Sequence, residues 1–149
     1  HPKSLKRFKD NIRRLTSRKH GRSITTTLLS LRRYTTGWLG YYSIADMRNN
    51  MQDISEWTRR RIRQIYWKQG KRIRARQENL VKLGIDPNQA WQWANSRLGY
   101  WRVAGSWILS RSLTNEYLAS QGYDDISSRY ETKRLSYRTA VYRTVRTVV

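Results

Sequence analysis

The 149-residue chain contains no cysteine, two histidines, two prolines and one phenylalanine, and only 10 acidic residues. The missing cysteine excludes a disulfide framework, thiolate zinc ligation and cysteine nucleophiles together. Metal-dependent nuclease chemistry needs clustered histidines, often with cysteine pairs. Here His1 and His20 stand apart, so no self-contained nuclease is expected, and His20 reads as a loop residue. The acids are scattered, mostly beside arginines or at expected helix caps, and Asp124-Asp125 is the only adjacent pair. That pair suits a cap or a turn better than general acid–base work. No glycine-rich phosphate loop is present. No apolar run approaches the roughly 18 residues of a membrane span, and the N-terminus is not a signal peptide.

Against those 10 acids stand 31 Lys+Arg, a formal net charge of +21 and a pI of about 11.2. So large an excess of one sign repels itself unless a polyanion neutralises it, which makes nucleic acid the expected partner. The charge is uneven: residues 1–76 carry 21 Lys+Arg against 4 Asp+Glu, and residues 77–149 carry 10 against 6. Seven Trp and 10 Tyr argue against a disordered basic tail and for a folded core. The chain opens on His1-Pro2 rather than Met, and the expectation is a piece of a longer polypeptide.

The stretch from Met47 to Lys68 shows the clearest periodicity. On a helix, Met47, Met51, Ile54, Thr58, Ile62 and Ile65 fall within roughly an 80° sector, the stripe of a core-facing helix. Arg59, Arg60, Arg63 and Trp67 project on the opposite side, with Glu56 placed to pair with Arg60 one turn on. Guanidinium groups beside an indole suit a nucleic-acid backbone, since cations meet phosphates and rings stack on bases. Arg61, near the core edge, is assigned an intramolecular role.

Two helices are expected before it. In residues 4–18, Leu5, Phe8, Ile12 and Leu15 form the apolar side and Lys6, Arg7, Arg13 and Arg14 the basic one, with Ser4 as N-cap and Lys19-His20-Gly21 as stop. Ser23 then caps a helix over 24–42 whose stripe is Ile24, Leu28, Leu31, Thr35, Trp38, Leu39 and Tyr42. Gly37 and Gly40, each costing roughly 0.8–1 kcal/mol inside a helix relative to Ala, mark either close helix packing or an early helix end. The three helices form an antiparallel or splayed bundle over residues 1–70.

Residues 71–149 read as a basic junction, a region of short helices and a tail. Lys71, Arg72, Arg74 and Arg76 lie in a flexible linker or, as favoured here, in a phosphate-contacting extension of the preceding helix. A helix over 78–83 stops at Gly84 in the left-handed C′ position, and Asp86-Pro87 opens another. Trp91, Trp93, Tyr100, Trp101 and Trp107 are read as a small aromatic core in preference to a base-stacking platform. Ser106 or Ser110 caps a helix carrying Leu109, Leu113 and Tyr117, closed by Gly122. The tail, SYRTAVYRTVRTVV, has β-branched residues that favour a strand, yet Val141, Val145 and Val148 also fit a helical stripe, so periodicity does not decide, and a disordered tail or an appendage to the fold stays open.

The runs LKRFKDNIRRLTSR, GRS, LRRYTTGWLGYYSIADM and EWTRRRIRQIYWKQGK resemble the maturase-specific region, or thumb, of bacterial group II intron reverse transcriptases. Gly37-Trp38 with Tyr41-Tyr42, and Trp57-Thr58-Arg59-Arg60-Arg61, are the most specific blocks. GIDPNQAWQWANSRLGYW and SLTNEYLASQG resemble the portion after the thumb in short members, except that Ser106-Trp107 replaces an expected Ser-Pro. The resemblance implies an all-α, non-catalytic RNA-binding piece that aids intron splicing and grips the template–primer duplex. Fingers and palm, with the polymerase's Mg2+ sites, would lie upstream in the parent, and this piece itself would hold no cofactor. Lys6, Arg7, Arg13, Arg14, Arg59, Arg60, Arg63, Lys68, Lys71, Arg72, Arg74 and Arg76 would contact phosphates, with Trp67 stacking. The implied setting is a cytoplasmic, nucleoid-associated ribonucleoprotein. Two alternatives stay open: a module binding target DNA, in which Arg97 and Arg102 dominate, and a structural piece packed on the palm.

Overall fold

The computed structural model describes residues 2–17, 19 and 21–148, with side chains to residue 141 and at 143. It is all-α. The helices are α1 (Pro2–Leu15), α2 (Ile24–Tyr42), α3 (Arg48–Gln69), α4 (Ile73–Lys82), α5 (Pro87–Ala94), α6 (Tyr100–Ala104), α7 (Trp107–Ser112), α8 (Asn115–Ser120) and α9 (Ile126–Val148).

Local chemistry sets most of these bounds. Helix α1 starts at Pro2, three residues before the Leu5 start that a Ser4 N-cap predicts, because Pro2 in the first turn has the right φ and no N–H to leave unpaired. It also stops sooner, at Leu15, ahead of the stop expected at 19–21. Gly21 is left-handed at φ 63°, and His20 lies outside the described residues. Helix α2 has the expected bounds: the Ser23 hydroxyl accepts from the Thr26 N–H at 3.2 Å. Gly37 and Gly40 neither end it nor mark close packing, since a Cβ at either position would meet nothing within 4 Å. Asp86 caps α5 ahead of Pro87, and Gly84 takes φ 94° after α4.

Two segments differ from expectation. The basic junction is neither a linker nor a continuation of α3. Gly70 ends α3, and residues 73–76 form the opening turn of α4. The single helix expected around Leu109 is two, with Ser106 at the N-cap of α7 and Thr114 capping α8 through the Tyr117 N–H. The tail is helical, as α9. Asp125 accepts from the Ser128 N–H at its start, and the buried Tyr130 hydroxyl accepts from the Met47 N–H at 2.6 Å and donates to the Ala45 carbonyl at 2.5 Å. Further along, the Tyr137 hydroxyl donates to the Gly40 carbonyl and Arg134 to the Ile44 carbonyl. The contacts of Tyr130, Arg134 and Tyr137, each 80 or more residues apart in sequence, hold this part of α9 against the rest of the fold.

Helix α3 is central. All six residues of its predicted stripe are buried, α1 packs against it and against α2, and α6 and α9 pack on it as well. Phe8 stacks on Trp38 at 3.9 Å between ring centroids, and Trp38 on Tyr42 at 4.6 Å, which ties α1 to α2. One buried cluster runs through Phe8, Leu31 and Ile62 and on to Leu80, Ile108 and Tyr130, so it spans the Gly70 junction.

A polar knot joins α3 to the start of α9. Ser55 donates to Asp125 and shares a 3.1 Å hydrogen bond with Tyr123, while Arg59 pairs with Asp125 at 2.7 Å. Burial disfavours the charged Asp125, but hydrogen bonds from Ser55 and Ser128, with the Arg59 charge, outweigh it and hold its carboxyl below the ordinary value. A carboxyl depressed in the folded state adds stability above its unfolded pKa and loses it as pH falls through the folded one. Thermal stability should therefore drop on acidification below about pH 4, and Asp125→Asn should lower the melting temperature at pH 7 while flattening that acid limb. An unchanged acid limb in the variant, followed by circular dichroism, would assign the pH dependence elsewhere.

Candidate nucleic-acid interface

The expected basic face of α3 is not open to solvent. Arg60 lies over the Trp101 ring at 4.0 Å and donates through Nε and Nη2 to the Trp101 carbonyl at 3.1 and 2.8 Å, instead of pairing with Glu56. Arg63 is buried, donating to the Leu113 carbonyl and to Asn115 Oδ1, both at 2.8 Å. Arg59 is drawn into the Asp125 knot. Trp67, expected to stack on bases, is buried at 5% exposure beneath the Arg76 guanidinium, whose Nε donates to the Gly70 carbonyl at 2.6 Å. The far side of α3 is covered because α6, α8 and α9 return over its arginines and Arg76 of α4 over Trp67. An arginine survives such cover because its stem packs while its donors find carbonyls.

The pKa of Arg63 is lowered, first by burial and then by the charge of Arg59. A guanidinium starts so high that it stays charged. Arg61 takes the intramolecular place expected of it: Nε donates to Thr16 Oγ1 at 2.6 Å and Nη2 to the Arg13 carbonyl at 2.9 Å, meeting the orphan carbonyls at the end of α1.

The remaining predicted cations are better placed for a ligand. On α1, Lys6, Arg7, Arg13 and Arg14 are exposed, and Lys3 shares their side of the helix by its spacing. Arg13 pairs with Asp10 at 2.7 Å, both exposed, a contact worth little in water. At the start of α4, Lys71, Arg72 and Arg74 are exposed, with Arg74 and Glu78 at 3.2 Å. Lys68 is half-buried.

Sequence reasoning missed the cluster that joins α1 to α3. Lys9, Arg13 and Arg61 stand at 5.1, 5.3 and 5.3 Å from the centre of the Trp57 ring. Three cations on one indole, with Asp10 the carboxylate paired among them, gain cation–π attraction but repel one another. A phosphate group would relieve that repulsion. The i, i+4 spacing of Trp57 and Arg61 gave a partial signal; the approach of Lys9 and Arg13 gave none.

Anchored and open cations separate in a stability measurement. Arg63→Ala leaves the Leu113 carbonyl and Asn115 without their donors, and urea unfolding should show a loss of about 1–3 kcal/mol. Lys6→Ala, on the open face of α1, should stay within about 0.5 kcal/mol of the parent. Equal effects would contradict the division.

Residues 5–84 match the family described as the group II intron, maturase-specific domain. No curated protein matches the chain. The matched segment takes in α1 through α4, and with them the Trp57 cluster and both sets of exposed cations. It covers more than half of the 149 residues, and the chain therefore belongs to the group II intron maturase-specific domain family.

Proposed function

We propose that the domain serves intron splicing by holding structured intron RNA through its phosphates, with the α1 face and the Trp57 cluster as the grip. The observation that carries this reading is the convergence of Lys9, Arg13 and Arg61 on Trp57, flanked by exposed Lys6, Arg7 and Arg14. Backbone contact of this kind reads the shape of folded RNA more than its sequence. Lys71, Arg72 and Arg74 extend the grip to the start of α4, where the template–primer duplex of an upstream polymerase is the second ligand. Fingers, palm and Mg2+ chemistry belong to that upstream part, and the present chain acts by binding, not catalysis. Among the described residues no helix is long and apolar enough to cross a membrane.

The competing idea that the basic side of α3 docks on a palm loses its support, because α6, α8 and α9 already occupy Arg59, Arg60 and Arg63.

Binding to a group II intron RNA, an unrelated structured RNA and duplex DNA should be measured by filter retention across a salt series. The intron RNA is expected to bind most tightly, with a log–log salt slope that falls by about 0.7–0.9 for each phosphate contact removed. Lys6→Glu with Arg14→Glu should weaken that RNA at least about tenfold near 0.1 M salt. Arg33→Glu with Arg138→Glu, an equal charge change at exposed sites elsewhere, should cost far less. Equal losses from the two pairs would reduce the interface to diffuse attraction, and equal affinity for duplex DNA would remove the RNA assignment.

A further inference from the structure

The tryptophans of residues 91–107 do not close into the aromatic core that their crowding suggests. Trp101 is taken by Arg60, Trp91 is 56% exposed and Trp107 is 48% exposed. Trp107 is held in place: the half-buried Trp93 meets it edge to face, with ring centroids 6.1 Å apart and planes at 88°. A braced indole with a large exposed area has lost its side-chain freedom without gaining full burial.

Two exposed cations lie near the pair in the chain. Arg111 lies one turn from Trp107 on the same side of α7 and is exposed, and Arg97 follows Trp93 by four residues and is also exposed. Among the described residues neither has a carboxylate within ion-pair distance, and residues 87–115 contain three arginines and no acid. No carboxylate of the described residues neutralises these two guanidinium groups, and the charge left over favours an anionic ligand. A rigid indole beside uncompensated guanidinium groups matches a nucleotide, whose base has a π-face and whose phosphate carries the charge.

We propose that Trp107, braced by Trp93, is a stacking platform for an unpaired nucleotide of RNA, with Arg111 and Arg97 contacting the flanking phosphates. The proposal rests on the RNA-binding reading above and deepens it. The platform lies in the C-terminal short-helix region, outside the segment 5–84 that matches the family, and takes single-stranded RNA where α1 takes folded RNA. Stacking is tolerant of base identity, so the site holds unpaired RNA without selecting its sequence.

The test uses the full chain, a fluorescein-labelled ten-nucleotide oligo(U), an oligo(dT) of the same length and a blunt RNA duplex of equal phosphate number, read by anisotropy. Trp107→Ala should weaken oligo(U) about tenfold and leave the duplex unchanged. Trp107→Phe, which keeps a ring, should recover most of the loss, and Arg111→Gln should flatten the salt slope for oligo(U). Because Trp107 is half-exposed, matching thermal melts check that the variants fold. No change of oligo(U) affinity in Trp107→Ala, or equal loss for the duplex, overturns the platform while leaving intron RNA binding intact. A greater dependence of oligo(dT) on Trp107 overturns the RNA assignment. If intron RNA itself fails to bind the parent chain, the reading beneath it falls instead.

Discussion

Arginine side chains on α3 donate to backbone carbonyls of segments that follow much later in the chain, and the placement of the C-terminal half depends on them. Arg60 holds the carbonyl of Trp101 and Arg63 that of Leu113. A hydrogen bond from a charged donor contributes about 1.5–3 kcal/mol, more than a neutral pair. The acceptor is neutral, so the guanidinium keeps its charge. Had these arginines been matched to carboxylates, the fold would have lost net positive charge with each contact. Here most of the structural arginines leave it untouched, and the chain folds while remaining strongly cationic.

That choice of acceptor shapes the whole surface. Among the described residues, Arg59–Asp125 and Arg129–Asp124 are the ion pairs whose arginine is largely shielded from water, and the arginines of the others are exposed. With few acids available, like charges are brought close at Trp57, where the ring face supplies the attraction that a carboxylate would otherwise give. The repulsion left over is useful only if something anionic arrives. Such a cluster is what the proposed polyanionic partner would neutralise.

The parts legible in the sequence are those set by neighbours three or four residues apart. The stripe from Met47 to Ile65, the Ser23 cap, Asp86-Pro87 and the left-handed Gly84 all follow from local periodicity or local backbone geometry. What was not legible depends on distance. Arg60 reaches 41 residues along the chain, Arg63 50 and Arg59 66. A helix with one apolar stripe looks like a surface helix, yet α3 is enclosed on both sides because arginine can be covered almost as readily as it can be hydrated. The same ambiguity hid the fate of the tryptophans. Trp67, expected to be open, is buried, and Trp107, expected in a core, is half-exposed. An indole suits either place, and only tertiary packing decides.

Structural and ligand-facing cations are thus the same residue type sorted by what they touch. Guanidinium groups bonded to carbonyls still contribute to the field outside, and at physiological salt that field extends about 8 Å. The carbonyl-bound arginines of α3 that lie near the surface therefore add to attraction even though they make no ligand contact. Steering belongs to the total charge, whereas the proposed grip belongs to the exposed cations of α1 and residues 71–74 and to the Trp57 cluster. This division explains why a chain with an excess of arginine can spend its most specific block, residues 57–61, largely on holding itself together. The anchored arginines fix the helices, and the fixed helices give the open cations a defined spacing, on which the proposed grip on folded RNA depends.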